Sequence, residues 1–189
     1  MGILIAGLAL FLGIHSVSIV NHPWRTRVAA RIGEWPWKGI HSVVALVGLV
    51  LIVWGFGLAR QQPLHIYEPT AWMRHISLLL MVPVFPMLFA TYLPGRIQSA
   101  LKHPMLAAVK LWAVAHLIAN GTLPDILLFG SLLVWAVADR ISLKHRAQGP
   151  IPSAPPSSAN DAIAVIGGLL LYAAFIFWAH LWLIGVSPI

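Results

Sequence analysis

Long apolar runs, joined by short segments that carry most of the charge, constrain the fold of this chain more than any other feature. Of its 189 residues 59% are hydrophobic and 9% are charged, whereas about a quarter of a soluble domain is charged. In lipid only helices and closed barrels satisfy every backbone group, and a helix needs about 20 apolar residues to span the bilayer. The runs predict helices over residues 2–20, 39–59, 75–92, 104–119, 123–138 and 162–186. We therefore predict an all-α polytopic membrane protein, a six-transmembrane-helix bundle that forms a single domain over residues 1–189.

The basic residues predict the orientation of this bundle. The net charge is +7, but the positive charges lie between the apolar runs and form no continuous face of the kind that binds nucleic acid. Arg and Lys cluster in residues 22–38, 92–103 and 139–161, while the opposite side holds only Arg60 and Arg74. Cytoplasmic loops carry the excess of Lys and Arg, so we predict that these three loops are cytoplasmic and that both termini lie on the outer side.

Turn-forming and helix-capping residues refine this picture. Pro83 and Pro86 should kink the third helix and leave carbonyl groups that a neighbouring side chain must satisfy. Thr122 and Asp125 are typical of a helix N-terminus, and Gly121 is typical of the residue that follows a helix end. A Pro/Ser-rich stretch at about residues 147–160 predicts a flexible cytoplasmic loop. Residues 1–11 have no basic n-region, so we expect the first helix to be retained rather than cleaved as a signal.

Ionisable residues inside the apolar runs are the candidates for a functional site, because they are costly in lipid. They are His15, His41, His75, Lys110, His116, Asp125 and His180. His116 shares one helix face with Trp112 and Asn120, and Lys110 lies off that face. A single imidazole in a membrane is more often bonded to a backbone carbonyl than to a metal. His180, between Trp178 and Trp182, fits an outer aromatic belt.

The missing residue types narrow the chemistry. The chain has no cysteine, which excludes thiolate ligands and nucleophiles. It has only five acidic residues, which argues against a carboxylate-bound di-iron site. No H-E-x-x-H, G-x-S-x-G, P-loop or G-x-G-x-x-G motif is present. Imidazoles and aromatic rings in an apolar interior suit a haem b site or a pocket for a hydrophobic substrate. A ligand shared by His15 and His116 has to overcome a depth difference of about 10 Å from the helical rise.

Several segments resemble the NnrU family over roughly residues 1–146. They are Gly13-Ile-His-Ser16, Trp54-Gly-Phe56, Trp72-Met-Arg-His75, Tyr92-Leu-Pro-Gly-Arg96, His103-Pro-Met105, residues 111–121 and residues 129–135. NnrU proteins are multi-pass proteins of the bacterial inner membrane associated with nitrogen-oxide metabolism and denitrification. The family is also similar to zeta-carotene isomerase, a haem b protein that converts a cis double bond of a carotene to trans.

The resemblance implies a haem b cofactor whose iron is bound by His116 and His15. His75 and His103 match the family pattern too, and either would replace His15 or support the ligands. We expect Trp112 beside the cofactor, and Arg74, Lys110 or Arg96 at a haem propionate. The implied partners are the lipid bilayer, a hydrophobic small molecule or nitric oxide, and a nitrogen-oxide reductase. Whether the protein is an enzyme stays open; if it is one, the resemblance favours a haem-dependent cis–trans isomerase of a polyene.

Two alternatives come from the same residues. The region from Arg96 to Met105 also resembles a motif of membrane methyltransferases of the isoprenylcysteine type, which use S-adenosylmethionine. Those enzymes add a pair of glutamates in a later segment, and this chain has Asp139 and Arg140 there instead. The other alternative is a membrane subunit or electron carrier without catalytic activity that serves a nitric oxide reductase.

Overall fold

The computed structural model describes residues 1–146, 149 and 151–189, and within them the chain is helical and has no strand. This confirms the predicted all-α class. The described part of the chain contains ten α-helices and one π-helix: α1 Gly2–Val20, α2 His22–Ile32, α3 Glu34–Ala59, α4 Ala71–Met81, α5 Val84–Tyr92, α6 Arg96–Leu101, α7 Pro104–Ala119, α8 Leu123–Ser142, α9 Asn160–Ala174, the π-helix Phe175–Ala179 and α10 His180–Ile184.

Four helical segments of the described chain are long and apolar enough to cross a membrane: Gly2–Val20, Glu34–Ala59, Ala71–Tyr92 and Asn160–Ile184. Helix α7 is apolar but shorter. Large apolar side chains on these segments are exposed, for example Val53 at 66% and Leu170 at 68%. Exposed apolar side chains along whole helices are what a lipid-facing surface requires, so the helices indicate a bilayer environment.

Contacts divide the chain into two compact units. The first unit contains Met1–Glu68 and Gly121–Ala147, and therefore α1, α2, α3 and α8. The second contains Pro69–Asn120 and Gln148–Ile189, and therefore α4 to α7, α9, the π-helix and α10. The prediction of a single domain over residues 1–189 stays a prediction.

Glycines set the packing of α1 against α3 in the first unit. A Cβ atom added at Gly48 would lie 2.7 Å from the backbone nitrogen of Phe11, and one at Gly7 would lie 2.6 Å from that of Ile52. Gly55 approaches Leu4 in the same way. Small residues let two membrane helices bring their backbones together, which is how they gain packing energy when lipid is as apolar as their side chains.

Helix α2 was not expected, because residues 22–38 were predicted to be a loop. The Asn21 side chain accepts a hydrogen bond of 2.9 Å from the backbone N–H of Trp24, and Pro23 occupies the first turn. Asn followed by an early Pro is a helix-start signal, so the sequence did carry this helix. Arg25 then pairs with Glu34 at 3.0 Å. Helix α3 starts at Glu34, five residues before the predicted start at residue 39.

The predicted kink at Pro83 is confirmed as an interruption between α4 and α5 in the second unit. Pro83 has no N–H that could donate to the carbonyl of Leu79. The N–H of Val82 donates to the Leu79 carbonyl at 3.3 Å and not to the Leu78 carbonyl, as it would in a regular α-helix. The hydroxyl of Tyr172 donates to the carbonyl of Leu78 at 2.7 Å. A side chain from α9 thus satisfies a backbone group beside the proline, as expected where a helix is broken in an apolar environment.

The start of α8 confirms the predicted cap, and Gly121 directly follows the C-cap Asn120 of α7, as predicted. The Asp125 carboxylate accepts the backbone N–H of Thr122 at 3.2 Å and also the Thr122 hydroxyl. Gly121 has no positive φ. Its carbonyl accepts the N–H of Ile66 at 2.8 Å, and a Cβ at Gly121 would collide with the Tyr67 carbonyl. Close approach, not a left-handed turn, requires glycine there. Two effects raise the pKa of the Tyr67 hydroxyl: burial is the larger one, and the negative charge of Asp125 is the other.

The loop predicted at about residues 147–160 falls partly on Ala147, Gln148 and Pro150, which lie outside the described residues. The described residues from 151 to 159 form no helix or strand. The N–H of Ala154 donates to the Tyr92 carbonyl at 2.9 Å, which ties this segment to the end of α5. The predicted flexibility of the loop stays a prediction.

We expect Gly48→Ala to destabilise the protein, by about 1–3 kcal/mol from overpacking against the Phe11 backbone. Gly57→Ala, in the same helix, is the matched control, since a Cβ at Gly57 meets nothing within 4 Å. Alanine exceeds glycine in helix propensity by about 1 kcal/mol, so Gly57→Ala should be neutral or stabilising. Thermal unfolding of both variants in one detergent measures the difference. Equal melting temperatures would show that α1 and α3 are not packed through Gly48.

Candidate functional site

A half-open cavity of about 200 Å³ lies in the second unit. Its walls come from α4, α5, α7, α9, the π-helix, α10 and the residues after α10. The polar residues of the lining are Arg74, Ser77, His116, Asn120, Tyr172, His180 and Ser187. Arg74 is the one Arg or Lys in the described lining, which contains no Asp or Glu. A mostly apolar cavity with a few convergent polar groups is the usual form of a ligand site, and its charge favours an anionic group.

His116 enters this cavity from α7 in a defined orientation. Its Nδ1 lies 2.8 Å from the carbonyl oxygen of Trp112, and the two rings are 4.9 Å apart. A carbonyl only accepts, so Nδ1 carries the hydrogen and the lone pair belongs to Nε2. The Asn120 side chain donates to the His116 carbonyl at 2.9 Å. The helix face predicted for Trp112, His116 and Asn120 therefore holds the imidazole in the tautomer that a metal ligand needs.

Ser77 fixes α4 to α7 next to His116. It is 7% exposed, and its hydroxyl lies 2.7 Å from the carbonyl of Ala115 and 3.0 Å from that of Met73. Arg74 lies one turn earlier on α4 and is exposed at the edge of the cavity. The guanidinium is therefore placed on the same side of α4 as the contact to α7, where it can meet an acidic group of a ligand.

His180 lines the same cavity, and the sequence interpretation missed it. Its Nδ1 lies 2.6 Å from the carbonyl of Val186. Trp178 and Trp182 stack with centroids 5.9 Å apart and are 65% and 71% exposed, which fits the predicted aromatic belt for the tryptophans. His180 follows Tyr172 and Ile176, which also line the cavity, at intervals of four residues, and this helical spacing is the sequence signal that could have placed it there.

His15 lies in the first unit, where the structure brings it to His41. Its Nδ1 is 2.6 Å from the Phe11 carbonyl, and its ring is 4.8 Å from that of His41 and 5.9 Å from that of Trp135. The buried Nε1 of Trp135 has no hydrogen-bond partner within the described part of the chain. Among the described residues there is no group of three or more His, Asp or Glu side chains that could hold a metal ion. The predicted helix 39–59 placed His41 near a helix start. In the structure α3 begins at Glu34, so His41 lies within the helix.

The remaining predicted site residues lie outside the lining of the cavity. Trp112 packs against the buried cluster of Val84, Met87 and Ala108. His75 is exposed on α4, and Lys110 is partly buried on α7. His103 precedes α7, and its carbonyl accepts the N–H of Ala107 at 3.1 Å. Arg96 begins α6, and its backbone N–H donates to Asp161 at 2.8 Å. Their roles toward a cofactor stay predictions.

The long apolar helices indicate a helical membrane protein. The family model described as NnrU protein matches residues 3–188, and the chain belongs to the NnrU family. The resemblance predicted from residues 1–146 is confirmed, and the match continues through α9, the π-helix and α10. No curated protein and no solved structure matches the chain.

Asp161 should stabilise the second unit by capping α6 across the fold. Its carboxylate accepts the N–H of Arg96 at 2.8 Å and that of Ile97 at 3.1 Å. Removing the partner of N–H groups at a helix start destabilises the helix, so we expect Asp161→Ala to lower the melting temperature. Glu68→Ala is the control, since it removes the same charge from a side chain that is 79% exposed. An equal effect of both variants would mean that net charge, not the cap, is responsible.

Proposed function

We propose that this protein binds haem b at the cavity of the second unit, where His116 would hold the iron. The observation that carries the proposal is the His116 imidazole, whose Nδ1 is bonded to the Trp112 carbonyl while the ring lines an apolar cavity. Ligating histidines commonly donate their other ring N–H to a carbonyl. The donor set fits haem, because it combines imidazoles and aromatic rings with a cation and no carboxylate.

The residues around His116 supply orientation and charge. The Trp112 carbonyl holds the ring and its tautomer, and Ser77 keeps α4 beside α7. Arg74 is the residue that would pair with a propionate, because a guanidinium binds a carboxylate through two parallel hydrogen bonds. When bound, haem b supplies one-electron chemistry and, at an open coordination position, the binding of a small molecule such as nitric oxide or of a polyene double bond.

The biological setting that we propose is nitrogen-oxide metabolism or cis–trans isomerisation of a hydrophobic polyene at the bacterial inner membrane. Membership of the NnrU family and the apolar lining of the cavity support it. Fold alone does not decide between these chemistries. The pairing of His116 with His15, which the resemblance implies, stays a prediction, as does a nitrogen-oxide reductase partner.

The absorption spectrum of the purified protein tests the cofactor. We expect a Soret band, with α and β bands on reduction, when the protein is made with ample haem. His116→Ala should lose at least half of the bound haem or change its spectrum, because it removes an iron ligand. His65→Ala is the matched control, since it removes an exposed imidazole whose partner is Glu68.

The same preparation separates the alternatives. Haem-free protein would contradict the proposal, and saturable binding of S-adenosylmethionine would then favour the methyltransferase interpretation. An unchanged spectrum in His116→Ala would remove His116 from the ligand set. Turnover of a cis-polyene by the isolated protein would contradict the interpretation as a membrane subunit or electron carrier without catalytic activity. Co-purification of a reductase would favour that interpretation.

We also propose that α7 and α8 complete a bundle of six membrane spans with both termini on the outer side. The four long apolar segments and the apolar character of α7 support this number, and the basic residues of segments 22–38, 92–103 and 139–161 support the orientation.

Labelling of single cysteines tests this topology, because the natural chain has none. We expect Gly2→Cys and Ile189→Cys to react with a membrane-impermeant maleimide on intact spheroplasts, and Thr26→Cys to react only after lysis. The cysteine-free chain is the blank. Protection of either terminus, or labelling of position 26 before lysis, would contradict the orientation.

A further inference from the structure

We infer that one exposed face of α2, formed by Trp24, Arg27 and Arg31, binds the phosphate headgroups of anionic phospholipids at the membrane surface. These residues are three and four positions apart, so they share one side of the helix. All three are exposed, whereas Ala29, on the opposite side, is 1% exposed. Helix α2 belongs to the first unit and the cavity to the second, so this surface is independent of the proposed haem site.

The two helices next to α2 place it at the level of the lipid headgroups. Helices α1 and α3, which precede and follow it, are both long and apolar enough to cross a membrane. Helix α3 has 26 residues and therefore extends about 39 Å, whereas the hydrocarbon core is about 30 Å thick. Its charged residues, Glu34 and Lys38, lie in its first turns, so these turns extend beyond the core. Helix α2, between the two span ends, is then left outside the hydrocarbon.

The two arginines of this face have no acidic partner within the described chain. Residues 22–38 contain four Arg or Lys and one Glu. Both terminal guanidinium nitrogens of Arg25 donate to the Glu34 carboxylate, at 3.0 and 3.1 Å. No described Asp or Glu pairs with Arg27 or Arg31, and the Nε of Arg27 donates only to the Pro23 carbonyl, at 3.4 Å. Two guanidinium groups are thus available to a phosphate, which they bind through paired hydrogen bonds.

Exposed apolar side chains around these cations select a lipid surface over a soluble acidic partner. Trp24 is 45% exposed, and Val20, at the end of α1, is 83% exposed. Trp35 is 82% exposed, and the Lys38 ammonium lies 5.3 Å from the centroid of its ring. Tryptophan beside Lys or Arg is typical of the membrane–water interface, where the ring meets acyl chains and the cations meet headgroups. An acidic soluble chain would leave these apolar side chains in water.

The experiment measures lipid binding to the full-length protein in a neutral detergent by native mass spectrometry. Phosphatidylglycerol is compared with phosphatidylcholine that carries the same acyl chains. We expect the wild type to bind phosphatidylglycerol more than about tenfold more tightly, because each Arg near an anionic surface contributes about fivefold. The double variant Arg27→Gln/Arg31→Gln should bind the two lipids about equally, and Arg27→Lys/Arg31→Lys should retain most of the preference.

The matched control is the double variant Arg140→Gln/Lys144→Gln, which removes two cations at the end of α8 and should keep the preference. Thermal unfolding without lipid checks that each variant folds. If Arg27→Gln/Arg31→Gln does not fold, Arg31→Gln alone replaces it, and its preference should fall by about fivefold.

Three results would overturn the site. The first is equal affinity of the wild type for the two lipids. The second is an equal loss of preference in both glutamine double variants, since net charge rather than this face would then attract the lipid. The third is displacement of the lipid by a soluble anion at matched ionic strength. Inorganic phosphate as the displacing anion would indicate an ion site, and polyglutamate would indicate an acidic protein partner.

Discussion

Every backbone polar group in an apolar environment needs a partner inside the protein, and this constraint explains both the helices and the position of the cavity. The second unit departs from regular α-helix at Pro83, between α4 and α5, and in the π-helix after α9. Met81, Phe85, Phe175 and Ile176, which flank or belong to these irregular turns, line one cavity. Tyr172 reaches across to the carbonyl of Leu78. The broken backbone therefore surrounds the place where a ligand would bind.

The same constraint bears on whether the partly buried His15 and His116 serve the backbone or a metal. His15 and His116 each bond the carbonyl four residues earlier on their own helix, at 2.6 Å and 2.8 Å. A histidine satisfied by a backbone carbonyl and a histidine that binds a metal are usually treated as alternatives. The bond uses only Nδ1, however, and it directs the lone pair to Nε2. Backbone satisfaction is thus the first step of ligand orientation, not evidence against it.

The sequence predicted the helices that are determined locally. Helices α1 and α7 have the predicted bounds, and the break at Pro83 and the cap at Thr122 lie where proline and capping chemistry place them. Helix α6 could not be predicted, because its cap is the carboxylate of Asp161, sixty-five residues further along the chain. The π-helix Phe175–Ala179 has no residue signature of the kind that marks a cap.

For the site, the sequence placed His116 on an inward helix face and His180 in an aromatic belt, and the structure places both residues in the lining of one cavity. The π-helix before His180 takes up one extra residue. One inserted residue changes the face by about 100°, and an insertion of that size is invisible to a periodicity argument. The family match covers α10 as well as α7. A functional comparison within the family therefore has to consider the last helix together with the segment around His116, because each contributes an imidazole to the same cavity.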